Sequence, residues 1–271
     1  MKVTLLGTGG SAGVPMIGGA DGSGEWGDCD PSEPRNRRTR SSIVVETPDN
    51  QRLLVDTSPD LRTQLLDCRV AGVDAILFTH AHADHITGID DVRILNRIAN
   101  RPLAAFATAE TLAEMTHRFD YAFRPRDRVE FYRPVLEAKP IEPSDTFEAV
   151  AGLSVSVFAQ NHGRVETLGL RVGNFAYSTD CVALDDTALA ALEGLDTWVV
   201  DCFLRHDTHW THANLSAVKS WVDRVKPRRT VLTHMGIEMD WAWMQANLPP
   251  GIEAGYDGMV LQIAGCPKSP G

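Results

Sequence analysis

At 271 residues, with 43% hydrophobic and 23% charged side chains, the chain can build a sizeable core without a disulfide framework or a structural metal. A formal net charge of −10 argues against the phosphate-neutralising surface of a dedicated nucleic-acid binder, though a small anionic substrate fits if a metal supplies local positive charge. Five scattered cysteines (Cys29, Cys68, Cys181, Cys202, Cys266) without a C-x-x-C pair fit free thiols in a reducing compartment. The apolar run at the N-terminus is too short for a signal peptide, and no stretch nears the ~18 residues of a membrane span, so the expected location is cytoplasmic.

In chain order, Val-, Ile- and Leu-rich runs predict strands at 2–7, 42–47, 52–56, 75–80, 153–160, 168–172, 174–180, 197–201, 229–234 and 259–264. Hairpin-length connections join 42–47 to 52–56 and 168–172 to 174–180. Helical patterns fall at 109–119, 186–194 and 212–225; in the last, Leu215, Val218, Val222 and Val225 form one stripe, which Pro227 ends. Residues 8–40 are irregular and rich in Gly, Pro and Arg, as expected of a loop over a functional face. Hairpins mixed with β–α alternation predict a layered α/β protein, with paired sheets sandwiched between helices and residues 1–271 forming one domain.

The stretch "THAHADHITG" packs His80, His82, Asp84 and His85 into six positions after an apolar run. On a helix His80 and His82 would diverge; on a loop leaving a strand they can face one point while Asp84 and His85 face another. Imidazole nitrogen and carboxylate oxygen suit Zn²⁺, Mn²⁺ or Fe²⁺. Further along, His162 follows the strand run 153–160, Asp180 ends 174–180 and His234 ends 229–234. Strand ends are where ligands from distant segments converge above a sheet.

H-x-H-x-D-H followed by a lone His, an Asp and a last His resembles the metallo-β-lactamase fold superfamily, over essentially the whole chain. The resemblance implies an αββα four-layer sandwich and two divalent metal ions, Zn²⁺ or Mn²⁺. Carried over by position, His80, His82 and His162 would hold the first ion, Asp84, His85 and His234 the second, and Asp180 would bridge them. "GTGGSAGVP" (7–15), "RNRRTRSS" (35–42), "LTHM" (232–235) and "YDGM" (256–259) narrow the likeness to the phosphoribosyl 1,2-cyclic phosphate phosphodiesterase family and its relatives. That family's extra catalytic histidine matches His212 of "THANL". The activity implied is hydrolysis of a small cyclic or nucleotide-like phosphodiester by a hydroxide bridging the ions, with Asp84 orienting it and His212 assisting at the leaving oxygen. The family's structural zinc is expected to be absent: only Cys29 remains in the early loop, and Ile237 stands where a histidine would be.

Other readings stay beside this one. A transfer-RNA 3′-processing endonuclease is disfavoured by the acidic balance, and a non-catalytic metal-binding sensor by the full ligand set. The expected partner is a small-molecule phosphodiester, with no membrane or nucleic acid; a homodimer is left open. Gly7-x-Gly9-x-x-Ala12 meets a loose dinucleotide fingerprint, but the glycines and Pro15 that follow cannot form the helix it requires. Asp56 either orients a ligand histidine or caps the helix after Ser58-Pro59. The arginines of "RNRRTR" either meet substrate or form a solvated face. His206 and His209 are read as pocket-lining, His117 as surface, Trp241 and Trp243 as core or interface, and Cys181 as a small buried apolar group.

Overall fold

The structure is a computed structural model that describes residues 1–125 and 131–264; Cys266 lies outside the described residues. Among the described residues, fourteen strands form two seven-stranded sheets. The first contains β1 (Lys2–Gly7), β2 (Ser42–Glu46), β3 (Arg52–Val55), β4 (Ala75–Leu77), β5 (Leu103–Ala107) and β6 (Leu136–Pro140). The second contains β7 (Thr146–Val150), β8 (Leu153–His162), β9 (Val165–Val172), β10 (Phe175–Ser178), β11 (Thr197–Asp201), β12 (Arg229–Thr233) and β13 (Ile252–Ala254). A last strand, β14 (Val260–Gln262), returns to the free edge of β1.

The two sheets mirror each other in construction. Their orders are β14-β1-β2-β3-β4-β5-β6 and β13-β12-β11-β10-β9-β8-β7. In the first, β1 to β3 and β14 pair antiparallel, while β3 to β6 pair parallel. In the second, β7 to β10 pair antiparallel and β10 to β13 parallel.

Period-two alternation decides which face each side chain covers. From β2, Ile43 and Val45 enter the core between the sheets, with Leu53, Val55, Leu77, Val155, Val157, Leu170 and Val199. Val44, between them, points outward with Leu54 and Ile76 onto Leu61, Leu65, Val92, Leu95, Leu112 and Met115. Those last residues come from α1 (Leu61–Asp67), α3 (Val92–Ala99) and α4 (Ala109–Arg118); the single turn α2 (Ala83–Ile86) lies between α1 and α3, and a further turn, α5 (Asp120–Phe123), follows α4. The outer face of the second sheet, through Ala176, Trp198, Val200 and Leu232, packs on Leu189, Leu215, Val218 and Met244. These belong to α6 (Asp186–Ala191), α7 (Leu215–Val225) and α8 (Trp241–Asn247). The layers are therefore helix, sheet, sheet, helix, the expected αββα sandwich.

The early loop contains no α-helix, which removes the dinucleotide reading. Asp257 of "YDGM" anchors both ends of the loop: one carboxylate oxygen accepts from the Thr8 N–H and hydroxyl (2.9 and 2.8 Å), the other from the Thr39 N–H and hydroxyl (2.7 and 2.6 Å). Arg38 is neither a substrate contact nor part of a solvated face. It is buried and donates to the Met239 carbonyl (2.6 Å), Asn36 Oδ1 (3.1 Å) and Cys29 Sγ (3.7 Å). Ile237 packs against Gly27, whose positive φ of 55° and close approach leave no room for a Cβ. Cys29 is in none of the His/Cys/Asp/Glu groups among the described residues that could hold an ion. The Cys29 thiol instead donates to the Ile237 carbonyl and meets the buried Arg38 guanidinium.

Candidate metal centre

Parallel strands of both sheets run out toward one rim, and the polar residues beyond their last rungs meet there. β3 delivers Asp56, β4 leads to His80, β10 to Asp180, β11 ends on Asp201 and β12 leads to His234. Asp56, Asp180 and His234 all take left-handed backbone, at φ 64°, 53° and 54°. Asp and His tolerate that region better than most residues, but it is unusual, and it turns each side chain back over the strand ends.

Asp84 and His85 lie on the one-turn helix α2, not on the open loop expected from sequence, with His82 at its N-cap. The turn is held by Thr57, whose N–H donates to the His85 carbonyl (2.8 Å) and whose carbonyl accepts from Gly88 N–H (2.9 Å). A Cβ at Gly88 would fall 2.0 Å from the Ser58 carbonyl oxygen, so glycine is required for that approach. His162 is the last residue of β8 itself, which runs two residues beyond its apolar pattern.

The predicted residues form two groups that share one member. His80, His82, His162 and Asp180 make the first; Asp84, His85, His234 and Asp180 the second; in each, the donor atoms lie within 4.8 Å of one another. Asp180 divides its oxygens between them. Its Oδ2 is 3.8 Å from His80 Nε2 and 3.7 Å from His162 Nε2, while Oδ1 is 3.2 Å from both His85 Nε2 and His234 Nε2. Asp84 Oδ2 lies 3.3 Å from His85 Nε2.

Hydrogen bonds behind the rings fix which nitrogen faces inward. Asp56, buried and carboxylate-bearing, takes Thr79 N–H (2.8 Å) on Oδ1, and on Oδ2 both the Thr79 hydroxyl (2.8 Å) and His85 Nδ1 (2.7 Å). Since Asp56 consumes the Thr79 hydroxyl proton, the Thr79 oxygen accepts from His80 Nδ1 (3.0 Å). His162 Nδ1 donates to the Thr211 carbonyl (2.8 Å). His80, His85 and His162 therefore all present Nε2. This settles Asp56 as an orienting residue; α1 has Asp60 at its N-cap instead.

Charges divide along the same line. Burial, helped by neighbouring histidines, pushes His80 well below the usual imidazole range, and burial also lowers His82 and His162, leaving neutral rings with lone pairs to offer. Burial opposes charge on His85 and His234 too, but Asp180 and Asp84 outweigh it, raising His85 strongly and His234 to about 9. Against burial, the facing imidazoles hold Asp84 and Asp180 well below the carboxylate range. Nε2 of His80, His85 and His234 is buried without a well-directed hydrogen bond. Buried polar atoms normally find partners, and inward-facing imidazole nitrogens around two carboxylates are the donor set that a divalent cation completes. The residues fit the group.

His212, just before α7, stands between the two groups: its ring centroid is 4.8 Å from that of His162 and 4.6 Å from that of His234. Asp201 Oδ2 accepts from His212 Nδ1 (2.9 Å) and from Cys181 N–H (3.0 Å). Sequence reasoning missed Asp201, although it ends "TWVVD" as Asp56 ends "RLLVD". Phe203, also missed, packs on His212 and His234 with centroids at 5.0 and 6.1 Å. His209 holds the approach to His212 through Thr211 Oγ1 (2.9 Å), and His206 is exposed beside Trp243. His117 is exposed on α4, Trp241 is buried under the Arg35 guanidinium, and Cys181 is buried among apolar neighbours.

Comparison with known proteins shows the family and the fold. A family model described as the beta-lactamase superfamily domain matches residues 51–235. An octanoyltransferase of Porphyromonas gingivalis is 30% identical over 264 residues, 97% of this chain; the chain spans about half of that relative, 52% of its length. Among solved structures, a diphosphatase from the PhnP family superposes with a TM-score of 0.85 at 33% identity, covering 98% of each chain. Zinc-bound PqqB from Methylobacterium extorquens follows at a TM-score of 0.75 and 22% identity, covering 97% of this chain and all of that one, a likeness of fold alone.

Proposed function

The chain belongs to the beta-lactamase superfamily, and from that premise we propose that it is a dinuclear metal-dependent phosphodiesterase acting on a small cyclic phosphate or nucleotide-like phosphodiester. The observation that carries this reading is the division of Asp180 between two groups of inward-facing donors. His80, His82 and His162 would hold one ion, Asp84, His85 and His234 the other, with Asp180 between. When bound, Zn²⁺ or Mn²⁺ supplies the positive charge that lets a water ionise near neutral pH and meet an anionic diester.

The rest falls to the chain's own side chains. Asp56 and Thr79 keep His80 and His85 in the ligating tautomer. Asp84, whose carboxyl stays ionised, would accept a hydrogen bond from the attacking water and so aim its lone pair at phosphorus. His212, anchored through Nδ1 by Asp201, turns Nε2 toward the space between the groups and hands a proton to the leaving oxygen. Hydrolysis at phosphorus is supported by the diphosphatase neighbour, which is similar over nearly its whole length. That neighbour also favours a second reading, cleavage of a diphosphate.

The test is direct. Protein loaded with Mn²⁺ or Zn²⁺ is assayed against bis-p-nitrophenyl phosphate, a cyclic ribose phosphate, a nucleoside diphosphate and precursor transfer RNA. Turnover of either diester is expected. Turnover of the diphosphate alone moves the assignment to the second reading, and turnover of none with metal bound leaves a metal-binding sensor.

A further inference from the structure

Tryptophan is the side chain with most to gain from burial, yet Trp210 is 67% exposed. It is held out at the rim of the metal centre. The next residue, Thr211, gives the carbonyl that orients His162, and His212 follows. The indole rests on the turn between β8 and β9, where a Cβ on Gly163 (φ 76°) would come within 3.1 Å of Trp210 Cε3 and 2.9 Å of Thr211 Cγ2. Any other residue would be strained at that φ and would press on the ring. The Arg164 guanidinium lies 6.0 Å from the indole centroid, and the His209 ring is 6.2 Å away and within 29° of parallel. A large flat surface is thus fixed one residue from Thr211, which orients His162, with the Arg164 cation over its ring and most of its area in water.

We propose that Trp210, flanked by Arg164, is a stacking platform for the base of a nucleotide phosphodiester, such as a cyclic mononucleotide, whose phosphate sits at the metal centre. This rests on the phosphodiesterase reading and narrows its substrate class. Every nucleobase has a π-face, so an exposed indole recognises the base without needing a hydrogen-bond code, while a guanidinium beside it supplies donors to ring nitrogens or carbonyls. A longer nucleic acid fits less well. The neighbouring cavity of about 720 Å³, which His80 and His82 also line, carries Glu110, Glu114, Glu142 and Glu166. Its arginine, Arg118, is already paired with Glu114. Further phosphates would meet that acidic wall.

Adenosine 5′-monophosphate and ribose 5-phosphate are the probes, differing only in the base. Binding is followed on the metal-loaded protein by tryptophan fluorescence and by titration calorimetry. The nucleotide should quench emission saturably and bind more tightly than the sugar phosphate. In Trp210→Ala that preference should fall roughly 5- to 150-fold, the range expected for loss of one stacked base, and Trp210→Phe should restore most of it. The ratio of the two affinities is insensitive to general damage, and unchanged metal content in both variants checks the fold of the rim. An undiminished preference in Trp210→Ala, or none in the wild type, overturns the platform. A Trp210-dependent preference in a protein that hydrolyses no phosphodiester upholds the platform and overturns the hydrolase reading alone.

Discussion

His212 Nδ1 lies 2.9 Å from Asp201 Oδ2, and the same oxygen takes the Cys181 N–H at 3.0 Å, so a buried carboxylate ties the imidazole to the second sheet. In the proposed mechanism the pair acts as a unit. Asp201→Ala should therefore cost about as much turnover as His212→Ala, in the range of about 10²–10⁴-fold for lost acid–base help. The double variant should be little worse than either single one. Asp201→Asn, which can still accept through its carbonyl oxygen, should fall between. Metal content, read by elemental analysis, should be unchanged throughout; loss of metal from His212→Ala would make it a ligand, and full additivity would dissolve the pair.

Asp56→Asn tests the network behind the ligands. If the new amide keeps the Thr79 N–H on its oxygen, its NH₂ faces His85 Nδ1, which must then accept, moving the ring proton to Nε2, the nitrogen that faces Asp180. The Thr79 hydroxyl loses its acceptor as well. Loss of such an orienting partner typically weakens metal affinity about 10- to 100-fold. Competition against a graded chelator should show one ion released early from the variant; two ions held as tightly as in the wild type would contradict the orienting role.

The parts of the site visible in sequence were those whose chemistry is local. Three imidazoles and a carboxylate within six residues have few uses besides binding metal, and His162, Asp180 and His234 each lie at the end of an apolar run. Asp201 carries no such mark, because an aspartate after a strand is usually a turn residue, and only the fold brings it to His212. Nor does sequence reveal that Asp56, Asp180 and His234 adopt positive φ. Among the strands, β6 was hidden because four of its five residues are exposed, so "LEAKP" has no apolar pattern. Among the described residues β7 pairs only with β8, and its edge position likewise blurs the alternation. Helix α1 was signalled only by its Ser58-Pro59 start, and α2, of four residues, is too short for a clear 3.6-residue period.

Arg38 makes a prediction about the early loop. Its guanidinium is buried with a carbonyl, an amide oxygen and a thiol as partners, and burial lowers its pKa, as desolvation of a cation must. Arg38→Ala would strip Met239 O and Asn36 Oδ1 of a donor and open a cavity, a loss of about 2–4 kcal/mol. Limited proteolysis should cut within residues 13–40 first. Added zinc should not restore resistance, since Cys29 alone offers no cage; rescue by zinc would show a structural site where the loop has none. Purified wild-type protein should accordingly carry no more than two ions per chain.

Asp257 links the same loop to pH. Burial raises its carboxyl from the ordinary 3.8 to about 6, against the four donors from Thr8 and Thr39 that favour the anion. A carboxyl raised by folding stabilises most fully below its unfolded pKa, and that contribution is lost as pH climbs through the folded value. The gap corresponds to about 3 kcal/mol, given up between roughly pH 4 and pH 6. Asp257→Asn removes the titration, but its NH₂ must face a backbone N–H of either Thr8 or Thr39, so the variant should be less stable at every pH. Urea unfolding at pH 4, 5, 6 and 7 checks both points. The stability difference between wild type and Asp257→Asn should be largest at pH 4 and shrink toward pH 7; a difference that grows with pH would mean the four donors outweigh burial and the carboxylate is held ionised throughout.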